Sequence, residues 1–141
     1  MTQLTEENRN RPWEWENPEP LAWSFMGMDC LVRRTLPMMI WCGYVRLPDE
    51  HPWQAYRDGD DVPLDVHGGV TFFGPIPGRD GRWVGFDTAH YGDYMPKPYR
   101  SADIRHILQD WELGSGDGVY RTKEWVTLET ERMAAQIAKA K

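Results

Sequence analysis

Two histidines and two aspartates, His67, Asp87, His90 and Asp93, stand on neighbouring segments of this chain and have the side chains for acid–base chemistry. Imidazole titrates near neutrality and carboxylates orient its nitrogens, so the set suits a general acid and base; it equally suits a divalent ion such as zinc or manganese. The catalytic and the metal-ligating expectations therefore fall on the same four residues. Asp87, His90 and Asp93 recur every three residues, a spacing that gathers them in a turn or a short helical segment. Gly68, Gly69 and Thr71 are the expected ligand-binding residues, since a double glycine weakens a strand and asks for a bulge or the close approach of a ligand. Each polar residue also has a purely structural role open to it: Asp87 as a cap, His90 as a satisfied buried histidine, Asp93 in an Asx turn.

The elements that must position these residues are legible in outline. Val66–Gly74 and Arg82–Asp87 read as strands, joined by a run of turn formers that ends in the hairpin signal Asp80-Gly81. Strand alternation then puts His67, Gly69 and Thr71 on one face. Upstream, Cys30-Leu31-Val32 and Met38–Leu47 read as an antiparallel hairpin around Pro37, closed by Pro48 and Pro52. Downstream, Ser101–Trp111 has the spacing of a short helix, and Thr122–Lys139 is the strongest helix pattern. Thr122 serves there as N-cap, with Trp125, Leu128, Val126, Met133 and Ile137 as the apolar side. Glu129 falls between Val126 and Met133, faces inward on that register, and would need a partner such as a histidine.

Length and composition bound the rest. A chain of 141 residues fits one core. The domain is expected over 28–141, preceded by an extended, tryptophan-bearing arm over 1–27. Trp13, Trp15 and Trp23 either pack the arm on the domain or form a partner-binding surface. The net charge of −6 opposes non-specific nucleic-acid binding and attraction to anionic membranes. No stretch approaches the ~20 apolar residues of a spanning helix, and the two cysteines, Cys30 and Cys42, read as free thiols, which together predict a cytoplasmic protein. The acidic turn Asp58-Gly59-Asp60-Asp61 lacks calcium-loop spacing, His51 reads as a turn residue and His106 as a solvated one. Phosphate-loop, nucleophile-elbow, zincin and four-cysteine patterns are absent.

Several segments taken together resemble a widespread set of uncharacterised bacteriophage and prophage proteins. They are Trp41-Cys42-Gly43-Tyr44-Val45 with His51-Pro52, His67-Gly68-Gly69-Val70-Thr71-Phe72, Gly85 through Asp93, and Glu129–Ile137. Thr88 stands where many of those relatives carry cysteine, which removes any thiol role at that position. The resemblance implies a small phage accessory product and carries no mechanism with it.

The expected fold is α+β: a small antiparallel sheet of about four strands with the C-terminal helix across one face. The expected function is a polar His/Asp site that binds a small ligand or a divalent metal, with hydrolysis as one form of it. The alternative is a non-enzymatic acidic inhibitor of a host protein, an anti-defence or host-takeover factor acting through its tryptophans.

Overall fold

The structure, a computed structural model, describes residues 12–35, 39–90, 92–95 and 119–140. The expected helix over Ser101–Trp111 lies outside the described residues. A one-turn helix α1 (Pro12–Trp15) precedes five strands, β1 (Leu21–Phe25), β2 (Met28–Thr35), β3 (Ile40–Leu47), β4 (Phe72–Gly74) and β5 (Arg82–Phe86), and the long helix α2 (Lys123–Lys139) closes the fold. The strands form one sheet in the order β1-β2-β3-β5-β4, with every neighbouring pair antiparallel. The class is α+β, with one strand more than the sequence suggested. The additional strand is β1, which forms a hairpin with β2 through Met26-Gly27, where both residues have positive φ.

β3 sits in the middle of the sheet and is buried along almost its whole length, Arg46 being the partial exception. Both of its faces are covered, which is why Ile40–Leu47 reads as a continuous apolar run rather than an alternating one. On the inner face Cys30, Val32, Trp41, Val45, Val84 and Phe86 pack against Val126, Met133, Ala134 and Ile137 of α2. On the outer face Leu31, Cys42, Tyr44, Trp83 and Ile76 form a second, smaller cluster against which Phe72 packs.

α2 is placed by its cap and by a close approach to the sheet. The Thr122 hydroxyl accepts from the Trp125 N–H (3.1 Å), Glu124 lies in the first turn and Lys139 in the last. Its buried residues, Val126, Thr130, Met133, Ala134 and Ile137, recur at helical spacing along one stripe. Leu128, expected on that stripe, is instead exposed. Gly43 lets the helix down onto β3: a Cβ there would stand 2.1 Å from the Thr130 hydroxyl oxygen.

The connection from β3 to β4 is stitched along α2. His51 is buried, its Nδ1 accepting from the Trp53 N–H (3.0 Å) and its Nε2–H donating to the Ile137 carbonyl (2.8 Å). A carbonyl only accepts, so this tautomer is fixed, and His51 ties the loop to the far end of α2. Farther along, Gln136 bonds both the N–H and the carbonyl of Asp65. Asp58 caps a short 3-10 turn through the Asp60 N–H, as a solvated acidic turn does.

The segment before β1 is fastened by Glu16. Its carboxylate accepts from the Trp41 indole (2.7 Å), Arg34 (3.1 Å), the Lys123 N–H (3.1 Å) and the Tyr120 hydroxyl. Trp13 packs on Tyr94 and Tyr120, and the Trp23 indole donates to Glu131.

Candidate functional site

His67 is carried by a turn, where the sequence suggested a strand. Only Phe72–Gly74 of the expected Val66–Gly74 strand is extended and paired. The Gly69 N–H donates back to the Val66 carbonyl (2.9 Å), and Gly68 and Gly69 take φ of +70° and +83°, a region glycine enters without steric cost. Alternation therefore does not govern this stretch. The His67 N–H donates to Glu129 Oε2 on α2 (2.8 Å), while the Thr71 N–H reaches the Gly85 carbonyl on β5 (2.9 Å). Glu129 thus faces inward as expected, and its histidine partner is a backbone N–H.

Asp87, His90 and Asp93 follow β5 in an irregular turn. Asp87 Oδ1 accepts the Ala89 N–H (3.1 Å), an Asx turn, and the buried Thr88 hydroxyl donates to the Trp41 carbonyl (2.9 Å), anchoring the turn on β3. At the far end the Tyr94 N–H bonds the Val119 carbonyl (3.0 Å) and the Val119 N–H bonds the Gly92 carbonyl (2.8 Å). This parallel bridge brings Arg121 alongside Asp93.

Asp93 is the hub. Its carboxylate is fully buried and collects four donor contacts: His67 Nε2–H to both oxygens (3.0 and 2.8 Å), Arg121 Nε–H (2.9 Å) and the His90 N–H (3.1 Å). Only such saturation makes a buried carboxylate tolerable. Because an ionised carboxylate can only accept, Nε2 of His67 carries the proton, and in the neutral ring Nδ1 is left as the basic nitrogen. The His67 ring meets Trp125 edge-on (5.0 Å between centroids), and Arg121 lies over that indole at 4.6 Å.

The second imidazole packs against the first. The rings of His67 and His90 are 5.7 Å apart, close to perpendicular. His90 Nε2 lies 2.8 Å from Asp87 Oδ1, yet it is buried and not aligned for a hydrogen bond with any group. The short separation is thus a charge contact when the ring is protonated, and an unsatisfied polar atom otherwise. Such atoms cluster where a protein does something besides fold. Gly68 makes room for the ring: a Cβ there would stand 2.1 Å from His90 Cδ2.

All four expected polar residues therefore come together, as two His–Asp pairs set edge to face. They do not form one ligand shell. The Asp93 oxygens are taken by internal donors and His67 Nε2 is fixed on them; among the described residues no group of three or more His, Cys, Asp and Glu is arranged to hold a metal ion. Of the expected ligand-binding residues, Gly68 lies against His90 and Gly69 faces open space. Thr71 sits away from them, bordering a cavity with Cys42, Tyr44 and Asp87.

Around this core, Glu129 is held below the ordinary carboxylate range. Burial pushes its pKa up, but hydrogen bonds from Arg132 and from the His67 N–H outweigh that effect. Burial pushes both thiols the other way, Cys30 up to about 12 and Cys42 upward as well, so neither is a nucleophile at neutral pH. Sequence reasoning missed Arg121 and Trp125 as walls of the site. Arg121 immediately precedes the α2 cap, but only the bridge at Val119 reveals that this point lies against Asp93.

Compared with known proteins, the chain matches no family model, no curated protein and no solved structure. No helix among the described residues is long and apolar enough to cross a membrane.

Proposed function

We propose that this chain is a small accessory protein of phage type whose His67/His90 cluster is an acid–base site for a small organic ligand, with hydrolysis as its chemistry. The observation that carries the reading is the Asp93–His67 pair. A buried carboxylate fixes Nε2–H, so the lone pair on Nδ1 is the one offered to a proton, while a second imidazole packs against the ring at 5.7 Å. Two of the segments that resemble phage proteins, His67–Phe72 and Gly85–Asp93, build this cluster, which supports the assignment of context. The organic ligand is preferred to a divalent ion because the four residues pair off among themselves.

The test is hydrolysis of p-nitrophenyl acetate and of p-aminophenyl acetate, a ring-sized ester with a donor head, in the presence of EDTA. Turnover of one of them should fall by about 10²–10⁴-fold in His67→Gln, the loss typical of a general base. His51→Gln, which alters a histidine outside the cluster, should leave the rate intact. Equal rates in wild type and His67→Gln, or no turnover at all, would sink the reading.

One observation favours the alternative of a host-protein inhibitor. Trp15, Leu21 and Leu128 leave an apolar strip exposed beside Glu16 and Glu124. If that strip is the working surface, a host protein captured by the wild type is lost in Leu128→Asp and retained in His67→Gln.

A further inference from the structure

A cavity of about 240 Å³ opens on the outer face of the sheet, and its wall includes Asp87, the carboxylate beside His90. Ile40, Phe72 and Phe86 give it an apolar lining; Thr35, Cys42, Tyr44, Thr71 and Asp87 give it a polar side. It exceeds the roughly 150 Å³ that accommodates benzene in an apolar protein cavity.

The Thr35 hydroxyl and the Cys42 thiol satisfy each other at 3.2 Å. Burial keeps that thiol protonated, so it adds no charge. Asp87 is the only charged lining residue among the described residues. Its Oδ1 accepts the Ala89 N–H and faces His90 Nε2, whereas Oδ2 has no partner among the described residues. A partly exposed carboxylate with an apolar chamber beside it selects a ligand that donates and rejects one that is anionic.

We propose that this cavity, which meets the His/Asp site at Asp87 and is lined by neither His67 nor His90, seats a ligand beside that site, and that the ligand is a small molecule with an apolar body of about one ring and a hydrogen-bond donor head, an amine or a hydroxyl, set on Asp87 Oδ2. This rests on the acid–base reading above and adds the substrate class to it. Asp87 then has a double role, holding the donor head on one side and lying against His90 on the other. The apolar body rests on Ile40, Phe72 and Phe86. Thr71, which lines the cavity, is the expected ligand-binding residue that belongs here.

Three probes of one shape separate the chemistries: benzylamine, benzyl alcohol and benzoate, each titrated into the 15N-labelled protein and followed by NMR. Benzylamine is expected to bind saturably and to shift the amides of Thr35, Cys42, Thr71 and Ala89, with benzyl alcohol weaker, since a charged donor makes the stronger bond, and benzoate inert. Asp87→Asn should raise the benzylamine Kd at least tenfold. Ala89→Phe, which places a ring in the chamber and keeps the Asp87 carboxylate, should abolish binding of both neutral and cationic probes. Spectral dispersion of each variant reports whether it folds, and if neither does, the ranking of the three probes on the wild type decides the proposal by itself. Benzoate binding as well as benzylamine, no saturable binding of any probe, or binding indifferent to the folded variants would overturn the proposal. Turnover that depends on His67 without benzylamine binding refutes the cavity assignment and leaves the acid–base reading standing. Benzylamine binding without turnover does the reverse.

Discussion

Gly68 and Gly69 separate two reasons for which a chain uses glycine. Both adopt left-handed backbone, but only Gly68 has a neighbour where a side chain would go, the His90 ring, while nothing lies within 4 Å of a Cβ on Gly69. Alanine at 69 is expected to cost about 1–2 kcal/mol from backbone conformation alone. Alanine at 68 should add a packing cost of roughly 1–3 kcal/mol and displace His90. Urea denaturation of the two variants checks the ranking, and the His90 ring resonances should move in Gly68→Ala only. Equal destabilisation would mean that His90 yields freely and that the imidazole pair is not held by its surroundings. At this scale the sequence was informative about identity and silent about geometry. His67, Asp87, His90 and Asp93 were recognisable from type and spacing. That Asp93 is the buried hub follows from a bridge to Val119, twenty-six residues away, which no local pattern encodes.

Elements whose signals are local were legible, and those defined by what lies over them were not. α2 begins and ends where its cap and charges place it, Thr122 and Lys139, because capping is decided within a turn of chain. Its buried stripe was only partly readable. Trp125 turns toward His67 and Leu128 toward solvent, since the helix rests on the sheet along Val126, Thr130, Met133 and Ile137. The stretch before β4 was misread because Val66, Val70 and Thr71 favour strands, whereas two consecutive left-handed glycines forbid one. β1 was taken as arm because the tryptophans and prolines around it mask a short edge strand whose only partner is β2. The close approach at Gly43 makes a prediction that belongs to this scale. Gly43→Ala forces the Thr130 hydroxyl and the Phe86 ring aside, and should destabilise the protein toward the upper end of the ~1–3 kcal/mol that overpacking costs. Gly43→Ala combined with Thr130→Ala should recover part of the loss, the double-mutant signature of a direct contact. Independent, additive losses in urea denaturation would show that α2 sits farther from β3.

At the scale of the whole molecule, the stitching between the β3–β4 connection and α2 links stability to pH. Glu129 is held below the ordinary carboxylate value of 4.5, by Arg132 and the His67 N–H acting against burial. A depressed folded pKa means that the unfolded chain binds the proton more readily. The stabilisation is complete above the unfolded value and is lost as pH falls through the folded one. Urea midpoints measured from pH 7 downward should therefore fall below about pH 5, and Glu129→Gln should flatten that part of the curve. A variant curve as steep as wild type would assign the slope to other carboxylates. The fold class was legible at this scale because hydrophobic pattern alone separates strands from the final helix. The contacts that close the molecule were not legible, since they pair residues far apart in sequence: Glu16 with Lys123, His51 with Ile137, and His67 with Glu129.

The position of α2 in the chain has a consequence for biosynthesis. The ribosome completes all five strands before it begins the helix that supplies Val126, Met133, Ala134 and Ile137 to the inner core. Until residue 137 has left the exit tunnel, Trp41, Val45, Val84 and Phe86 have no such cover, and Glu16 awaits Tyr120 and Lys123. From the completion of β5 until then, each nascent copy has a sheet face without the cover of α2, a form that attracts chaperones and neighbouring chains alike. Translation pauses after β5 would lengthen that exposure, whereas synonymous changes that speed passage through codons 119–140 would shorten it.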